Sequence, residues 1–128
     1  MPIEILLADD SEVIRRGIRK LLAESDIEVV AEASNFAQTI QLSHDLKPQV
    51  IIMDLHMPDE SHFTPQVIVS KLNHDSRLLA ISFSNDEDTR FLAENFGARL
   101  LLDKMELARD LVPAITRLAL PKNKSAAA

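Results

Sequence analysis

The sequence predicts an α/β fold: a doubly wound parallel sheet of five strands with five helices packed on its two faces. Five short apolar runs recur along the chain, and the segments between them have the apolar spacing of helices. Some runs, such as 50–53, are apolar at every position, as is typical of parallel strands buried on both faces. Strands and helices that alternate in this way indicate a parallel sheet with right-handed crossovers.

The five strands are predicted from the apolar runs, each of which has the length of an ordinary strand. They cover residues 3–8, 28–33, 49–53, 78–82 and 99–102. Polar residues stand directly after several of these runs, and they mark the carboxyl ends of the strands.

The first two helices follow the first two strands. Asp10 or Ser11 can cap the first helix. Its apolar positions are Ile14, Ile18, Leu21 and Leu22, and Arg15, Arg16, Arg19 and Lys20 are expected on a solvated face. The apolar stripe of the second helix is predicted to be Phe36, Ala37, Ile40 and His44.

The other three helices also have recognisable spacing or ends. The third is expected to begin after Phe63, with Val67, Ile68 and Leu72 facing the sheet. The fourth has acidic residues 86–88 in its first turn and Gly97 just past its end, as the helix dipole and a left-handed cap favour. Its apolar residues are Phe91, Leu92 and Phe96, and those of the fifth helix are Leu107, Leu111, Ile115 and Leu118.

The composition excludes several classes of protein. At 128 residues the chain has the size of one domain. Its 14 basic and 20 acidic residues give a formal charge of −6, which opposes direct binding of this domain to nucleic acid. The absence of cysteine excludes disulfides and thiolate metal sites. No apolar run is long enough for a membrane span and no signal peptide is recognisable, so we expect a cytoplasmic protein without membrane contact.

We expect residues 1–120 to form the single domain. Residues 121–128 have no periodicity and end in three alanines. They are interpreted either as a frayed or added tail or as the start of a linker to a second domain.

Charged and polar side chains end or follow four of the predicted strands. They are Asp9 and Asp10, Asp54, Ser82, and Lys104. In open parallel sheets ligands bind at the carboxyl ends of the strands, so these residues are expected at one edge. Ionised carboxylates about 4 Å apart repel by up to about 4 kcal/mol at an effective dielectric of 20, so such a cluster calls for a cation. Oxygen ligands favour Mg²⁺, which leaves positions for phosphate oxygens.

These residues stand in motifs that resemble the response regulator receiver (CheY-like) domain of two-component signalling. The motifs are Leu7-Ala8-Asp9-Asp10, Met53-Asp54-Leu55-His56-Met57-Pro58, Ala80-Ile81-Ser82, and Gly97-Ala98 with Lys104 six residues on. The similarity covers about residues 3 to 118, and it is greatest to the NarL/FixJ (LuxR-type) class, whose receivers precede a helix-turn-helix domain. It implies a flavodoxin-like sheet of strand order 2-1-3-4-5.

The resemblance also implies a role for each site residue. Asp54 would be the phosphoacceptor, Ser82 the switch hydroxyl and Lys104 a contact to the phosphoryl group. Mg²⁺ would be held by Asp9, Asp10, Asp54 and the backbone carbonyl of His56. The donor would be a sensor histidine kinase, and a second copy of the chain is a candidate partner. Slow self-dephosphorylation is expected, without enzymatic turnover. The side chains of His56, Phe83 and Ser84 flank the site and would tune the lifetime of the phosphoryl group.

Four features depart from the family pattern. The 59–65 loop lacks the usual glycines, so we expect an altered or stiffer backbone path there. Phe83 replaces a small residue after Ser82, and its ring either narrows access to Asp54 or turns aside. Leu101 occupies the place of an aromatic switch residue. Met105 follows Lys104 in place of proline, and a non-proline cis bond there would be costly.

Two other functions compete with a phosphorylation switch that controls transcription through a further DNA-binding domain. A receiver-like interaction or dimerisation module that ignores phosphorylation is favoured by Phe83, Leu101 and the altered loop. An aspartyl-phosphate hydrolase is disfavoured, because His56 stands where such enzymes have a second aspartate and Asp54 ends the third strand, not the first.

Overall fold

The computed structural model describes residues 2–119, and in this range it confirms the predicted fold class. Five parallel strands form one sheet in the order β2-β1-β3-β4-β5. The strands are β1 (Ile3–Ala8), β2 (Ile27–Ala33), β3 (Val50–Asp54), β4 (Arg77–Ser82) and β5 (Leu100–Asp103). Residues 120–128, where a tail or linker was expected, lie outside the described residues.

Five helices connect or follow the strands. They are α1 (Glu12–Leu22), α2 (Phe36–Leu46), α3 (Pro65–Lys71), α4 (Glu87–Asn95) and α5 (Leu107–Ala119). Side-chain caps define where four of them begin: Ser11, Asn35, Thr64 and Asp86 each accept a hydrogen bond from a backbone N–H in the first turn. No helix within residues 2–119 is long and apolar enough to cross a membrane.

The sheet separates two hydrophobic cores. One core packs α1 and α5 against one face through side chains such as Ile18, Leu111 and Ile115. The other packs α2, α3 and α4 against the opposite face, with Phe36 and Ile68 among its buried members. The central strands β1 and β3 contribute side chains to both cores, and this explains why they are apolar at nearly every position.

The predicted stripe of α2 is partly wrong. Ala37 and His44 are exposed, whereas Thr39 and Ser43 are fully buried. The Thr39 hydroxyl donates to the carbonyl of Asn35 (2.7 Å) and the Ser43 hydroxyl to that of Ile40 (2.8 Å). Because these hydroxyls are satisfied within their own helix, small polar residues can face the sheet.

Three other apolar positions also differ from the prediction. Leu21 of α1, Val67 of α3 and Phe91 of α4 are exposed, and Phe91 is 65% exposed. Each lies within two residues of a buried position of the same helix, so its direction depends on how the helix is rotated against the sheet. The predicted stripe of α5 is confirmed at all four leucine and isoleucine positions.

Two residues have positive φ among those described. Gly97 (φ 77°) ends α4, as predicted, and Lys47 (φ 47°) ends α2, where nothing in the sequence signals it. Lys47 donates its backbone N–H to the carbonyl of Ser43 and so closes the last turn. Every peptide bond in residues 2–119, including Lys104–Met105, is trans.

Candidate functional site

Three carboxylates meet at the carboxyl edge of the sheet. β1 and β3 are hydrogen-bonded neighbours, with Ala8 opposite Met53, so Asp9 and Asp54 leave the sheet side by side. One oxygen from each of Asp9, Asp10 and Asp54 lies within 4.8 Å of the others. Asp9 is fully buried, Asp54 is 8% exposed and Asp10 is exposed. The structure thus brings together the three acids that the sequence placed at this edge.

The backbone and α1 hold Asp9 in place. Its Oδ1 accepts a hydrogen bond from the Ser11 N–H (2.9 Å), and its carbonyl accepts one from Arg15 Nη1 (2.6 Å). Arg15 also forms an ion pair with Glu32 of β2 at 2.8 Å, and Arg19 pairs with the same carboxylate. Arg15 was expected on a solvated face and is instead a half-buried brace beside the site.

Lys104 lies between two of the carboxylates. Its Nζ is 2.7 Å from Asp9 Oδ2 and 2.9 Å from Asp54 Oδ2, and its side chain is only 6% exposed. Burial alone would lower the pKa of Lys104, but its bonds to Asp9 and Asp54 and their charges outweigh burial and raise the pKa above its usual value. The ammonium therefore stays charged at neutral pH.

Asp54 is subject to opposing influences on its ionisation. Burial raises its pKa, whereas the hydrogen bonds from Lys104 and from the His56 N–H (3.1 Å to Oδ1) lower it. The nearby Asp9 raises it further, and the net result is a pKa above the usual value for aspartate. The Asp54 carboxylate is thus less well stabilised than an ordinary one in the absence of added positive charge.

The donor atoms of this cluster fit a divalent cation. Asp9 Oδ2 is completely buried, and within residues 2–119 its contact is with the Lys104 ammonium at 2.7 Å. One ammonium does not neutralise three carboxylates. A hard cation such as Mg²⁺ prefers these oxygen ligands. Asp9, Asp10 and Asp54, with the backbone carbonyl of His56 two residues beyond Asp54, could hold it.

The side chain of His56 points away from the carboxylates. It is 61% exposed, and its Nδ1 lies 3.4 Å from a carboxylate oxygen of Glu60. Of the predicted tuning residues, His56 therefore lies at the rim of the site, where only its backbone approaches Asp54.

The end of β4 places Ser82, Phe83 and Ser84 beside the carboxylates. Ser82 is 8% exposed, and its Oγ accepts a hydrogen bond from the Ser84 N–H (3.1 Å). Ser84 Oγ in turn accepts from the Asp86 N–H (3.3 Å), just before α4 begins. The Phe83 ring is 60% exposed, and its centroid lies 5.1 Å from Lys104 Nζ. The ring therefore turns towards the ammonium and does not enter the core.

The loop after β3 is held by Asp59. Its Oδ1 accepts the N–H of Phe36 (2.9 Å) and its Oδ2 the N–H of Ala37 (3.0 Å), so it caps the start of α2. The Phe63 ring makes an edge contact with Phe36 (centroids 6.4 Å apart, planes at 65°). A short 3₁₀ turn at Glu60–His62 connects the two contacts without positive φ. Side-chain anchors thus set the path of this loop where the family commonly has glycines.

Two further departures from the family pattern lie around β5. Leu101 is half-buried against the core of α2, α3 and α4. Met105 is exposed, and its N–H donates to Asp103 Oδ1 (2.8 Å), which begins a 3₁₀ turn at Lys104–Glu106. Leu101 lies in β5 and Met105 directly follows Lys104, so both are connected to the site through the backbone of this segment.

Comparison with known proteins decides the family. Residues 5–116 match the family described as the response regulator receiver domain. The chain belongs to this family. It is a receiver domain of the NarL/LuxR class, because it is 34% identical over 119 residues to the nitrate/nitrite response regulator protein NarL of Escherichia coli (strain K12). It has the same identity over 119 residues to the response regulator protein VraR of Staphylococcus aureus (strain NCTC 8325).

Solved structures agree with the fold of this receiver domain. The signal receiver domain of the putative response regulator NarL from Mycobacterium tuberculosis superposes with a TM-score of 0.79 at 26% identity, covering 92% of this chain and 96% of that one. The alignments with NarL of Escherichia coli and VraR cover 92% and 91% of this chain but only 55% and 56% of those proteins. The receiver domain thus spans about half the length of these relatives.

Proposed function

We propose that this receiver domain accepts a phosphoryl group on Asp54 from the phosphohistidine of a sensor histidine kinase, with Mg²⁺ bound beside it. The observation that carries the proposal is the pairing of a nearly buried Asp54 with the Lys104 ammonium at 2.9 Å, within an acid cluster that fits a divalent cation. Mg²⁺ held by Asp9, Asp10, Asp54 and the His56 carbonyl would neutralise charge on the phosphoryl oxygens.

The residues of the chain divide the chemistry of transfer between them. A carboxylate oxygen of Asp54 attacks phosphorus, an oxygen–phosphorus bond forms, and the phosphorus–nitrogen bond to the donor histidine breaks. The departing imidazole keeps the bonding electrons and becomes neutral once it is protonated. Lys104 moves from Asp54 Oδ2 to a phosphoryl oxygen, and the Ser82 hydroxyl donates to another. Apart from the nucleophile Asp54, the protein contributes mainly by positioning the reactants and neutralising charge.

Phosphorylation would act as a switch through β4 and β5. Ser82 ends β4, and in the sheet it lies opposite Asp103, the residue before Lys104. If Ser82 and Lys104 both turn towards the added charge, the ends of these two strands shift together. The face formed by α4, β5 and α5 would then change its affinity for a partner, as a shift in population between two packed arrangements.

We infer that the domain is a switch and not a turnover enzyme, and that it loses its phosphoryl group slowly by itself. Phe83 and Ser84 at the end of β4, and His56 at the rim of the site, would tune that rate. Hydrolysis needs a water molecule in line with the phosphorus atom, and the Phe83 ring, which lies 5.1 Å from Lys104 Nζ, would narrow its approach.

The proposed partners are inferred from the NarL/LuxR class of the domain and from its net negative charge. The proposed partners are a sensor histidine kinase and a second copy of the domain. Because the matched relatives are about twice as long, we propose transcriptional control through a further DNA-binding domain. The net charge of −6 argues against direct contact of this domain with nucleic acid, and we place it in the cytoplasm without membrane contact.

The test is phosphorylation by acetyl phosphate followed on a phosphate-affinity gel. We expect a slower-migrating species that needs Mg²⁺, disappears in EDTA and is missing in Asp54→Asn. Asp88→Asn, at an exposed acid in the first turn of α4, is the matched control and should be modified normally. Equal modification of the Asp54→Asn variant would refute the assignment of the phosphoacceptor.

A second candidate is an interaction module that ignores phosphorylation. It is supported by the contact of the Phe83 ring with the Lys104 ammonium and by Leu101 in place of an aromatic switch residue. This alternative predicts the same self-association by analytical ultracentrifugation with and without Mg²⁺ and beryllofluoride. The phosphorylation switch predicts that beryllofluoride changes it.

A further inference from the structure

Phe83 makes a contact that burial does not explain. A large apolar side chain that is 60% exposed contributes little to a core, yet its ring lies 5.1 Å from Lys104 Nζ, within the range of a cation–π contact. The other strongly exposed phenylalanine, Phe91, shows no such contact among the described residues. The Phe83 ring therefore faces the ammonium and not the core.

The ammonium beside this ring contacts two of the carboxylates that a metal would use. Lys104 Nζ contacts Asp9 Oδ2 at 2.7 Å and Asp54 Oδ2 at 2.9 Å, so it bridges two of the three carboxylates that can hold a cation. Two positive charges repel each other strongly at such distances. A divalent cation at these oxygens would therefore require the ammonium to move away from Asp9.

We propose that Phe83 is a positioning residue that holds the Lys104 ammonium in its bridging place between Asp9 and Asp54, so that Mg²⁺ binds in competition with this contact. The inference rests on the proposed Mg²⁺ site and goes beyond it, since it assigns to one side chain of this chain the control of metal affinity. A small residue at this position would leave Lys104 held by the carboxylates alone.

The direction and size of the effect follow from the contact. Exposed cation–π contacts stabilise by an amount equivalent to about a two- to fivefold change in an equilibrium constant. Removing the ring should weaken the metal-free arrangement and leave the metal-bound one less affected. We therefore expect Mg²⁺ to bind about two- to fivefold more tightly when the ring is removed.

The experiment is a calorimetric titration of the intact chain with MgCl₂, comparing wild type with Phe83→Leu, Phe83→Tyr and Phe91→Leu. Phe83→Leu keeps apolar bulk and loses the ring, Phe83→Tyr keeps the ring, and Phe91→Leu is the matched control at another exposed phenylalanine. We expect tighter binding only for Phe83→Leu. Equal affinity of Phe83→Leu and wild type, or equal affinities of Phe83→Leu and Phe83→Tyr, would overturn the proposal.

A second measurement tests the same contact without metal. In EDTA, the unfolding equilibrium constant from urea denaturation is compared for Phe83→Leu in the wild-type and in the Lys104→Met background. The contact predicts that Phe83→Leu raises this constant about two- to fivefold more when Lys104 is present. If Phe83→Leu changes the unfolding constant equally in the two backgrounds, the contact between Phe83 and Lys104 does not stabilise the domain.

The two measurements separate this inference from the proposed function. If wild type binds no Mg²⁺, the metal site fails and the competition proposed here fails with it, whereas coupling in EDTA would show that the contact itself survives. If wild type binds Mg²⁺ and Phe83→Leu binds it with the same affinity, only the role of Phe83 is lost.

Discussion

At the residue scale, the surroundings of Asp54 have opposing effects on its ionisation, and the effects that favour the charged form do not fully compensate for those that oppose it. Its burial disfavours the charged form, and Lys104 and the His56 N–H favour that form less strongly than burial opposes it. A phosphoacceptor must be ionised to attack phosphorus. The residual cost of that charge is what a bound divalent cation would offset.

The raised pKa of Asp54 predicts a pH-dependent gain in stability for Asp54→Asn in metal-free protein. A carboxyl group whose pKa is higher in the folded state stabilises the fold below its ordinary pKa of about 3.9, and this stabilisation is lost as the pH rises through the folded-state value. Asparagine resembles the protonated form of aspartate and does not ionise, so the variant does not lose this stabilisation as the pH rises. Urea denaturation in EDTA should therefore show Asp54→Asn more stable than wild type at pH 7, with the difference closing towards pH 4.

Asp86 provides a control of opposite sign. It caps α4, and its hydrogen bonds with Thr89 lower its pKa. Its stabilisation is present above the ordinary pKa and is lost as the pH falls through the folded-state value. Asp86→Asn should be less stable than wild type at pH 7. A pH profile of the same sign for both variants would contradict the assignment of these shifts.

The site residues found from the sequence share one property. Asp54 and Ser82 are the last residues of β3 and β4, Asp9 and Lys104 directly follow β1 and β5, and the ends of parallel strands meet at one edge. Arg15 and Asp59 were missed because their partners, the carbonyl of Asp9 and the N–H groups of α2, depend on how α1 and the loop after β3 are oriented. Local spacing has no signal for such contacts.

At the element scale, the contact of Asp59 joins two elements that flank the site. The loop after β3 contains His56, whose carbonyl is a proposed metal ligand, and the same loop caps α2 through Asp59. The anchor therefore limits how far the backbone of the proposed metal site can move.

Asp59→Ala is expected to destabilise the domain by about 1 kcal/mol, the usual cost of a lost N-terminal helix cap. It should also weaken Mg²⁺ binding, because the His56 carbonyl is then less well held. Urea denaturation and calorimetric titration measure the two effects. Glu60→Ala, at the exposed neighbour, is the control for stability, and an Asp59→Ala variant as stable as this control would show that the cap is unimportant.

The end of α2 offers a stabilising substitution. Lys47 is exposed and has φ of 47°, a conformation that costs most residues roughly 1–2 kcal/mol and glycine much less. After the larger unfolded-state entropy of glycine is subtracted, Lys47→Gly should gain about 0.5 kcal/mol. Its thermal midpoint should therefore rise by a few degrees. Lys71→Gly, in the last turn of α3, should lower the midpoint, and a lower midpoint for Lys47→Gly would contradict the argument.

The strands and helices themselves were predictable because their apolar periods differ. All ten elements lie where the sequence placed them, and most boundaries are displaced by a residue or so, since hydrogen bonding and not apolarity decides where a strand ends. The inward face of α2 was not predictable, because Thr39 and Ser43 are polar in the sequence and satisfied only in the fold.

At the scale of the whole molecule, three of the twenty acidic residues form the candidate site. Asp9, Asp10 and Asp54 converge at one edge of the sheet, and they belong to a chain with a net charge of −6. The net charge argued against nucleic acid as a partner but did not locate a site. The strand order, which the family resemblance implied, places the three acids together.

Mg²⁺ is therefore expected to stabilise the whole domain. A ligand that binds only the folded state at one hundred times its dissociation constant adds about 2.7 kcal/mol. The thermal midpoint should rise with MgCl₂ and should not rise with NaCl of equal ionic strength. Asp54→Asn should reduce the rise, and an equal rise in this variant would show that Mg²⁺ acts elsewhere on the molecule.

The separation of the two cores by the sheet has a consequence for how such a domain can evolve. No buried side chain belongs to both cores among the residues described, so a substitution on the side of α1 and α5 can be accommodated without repacking α2, α3 and α4. Each layer of helices can therefore accumulate substitutions, including surface substitutions, independently of the other layer. The carboxylate edge is formed by strands that pack against both layers, so a substitution that moves these strands affects both layers at once.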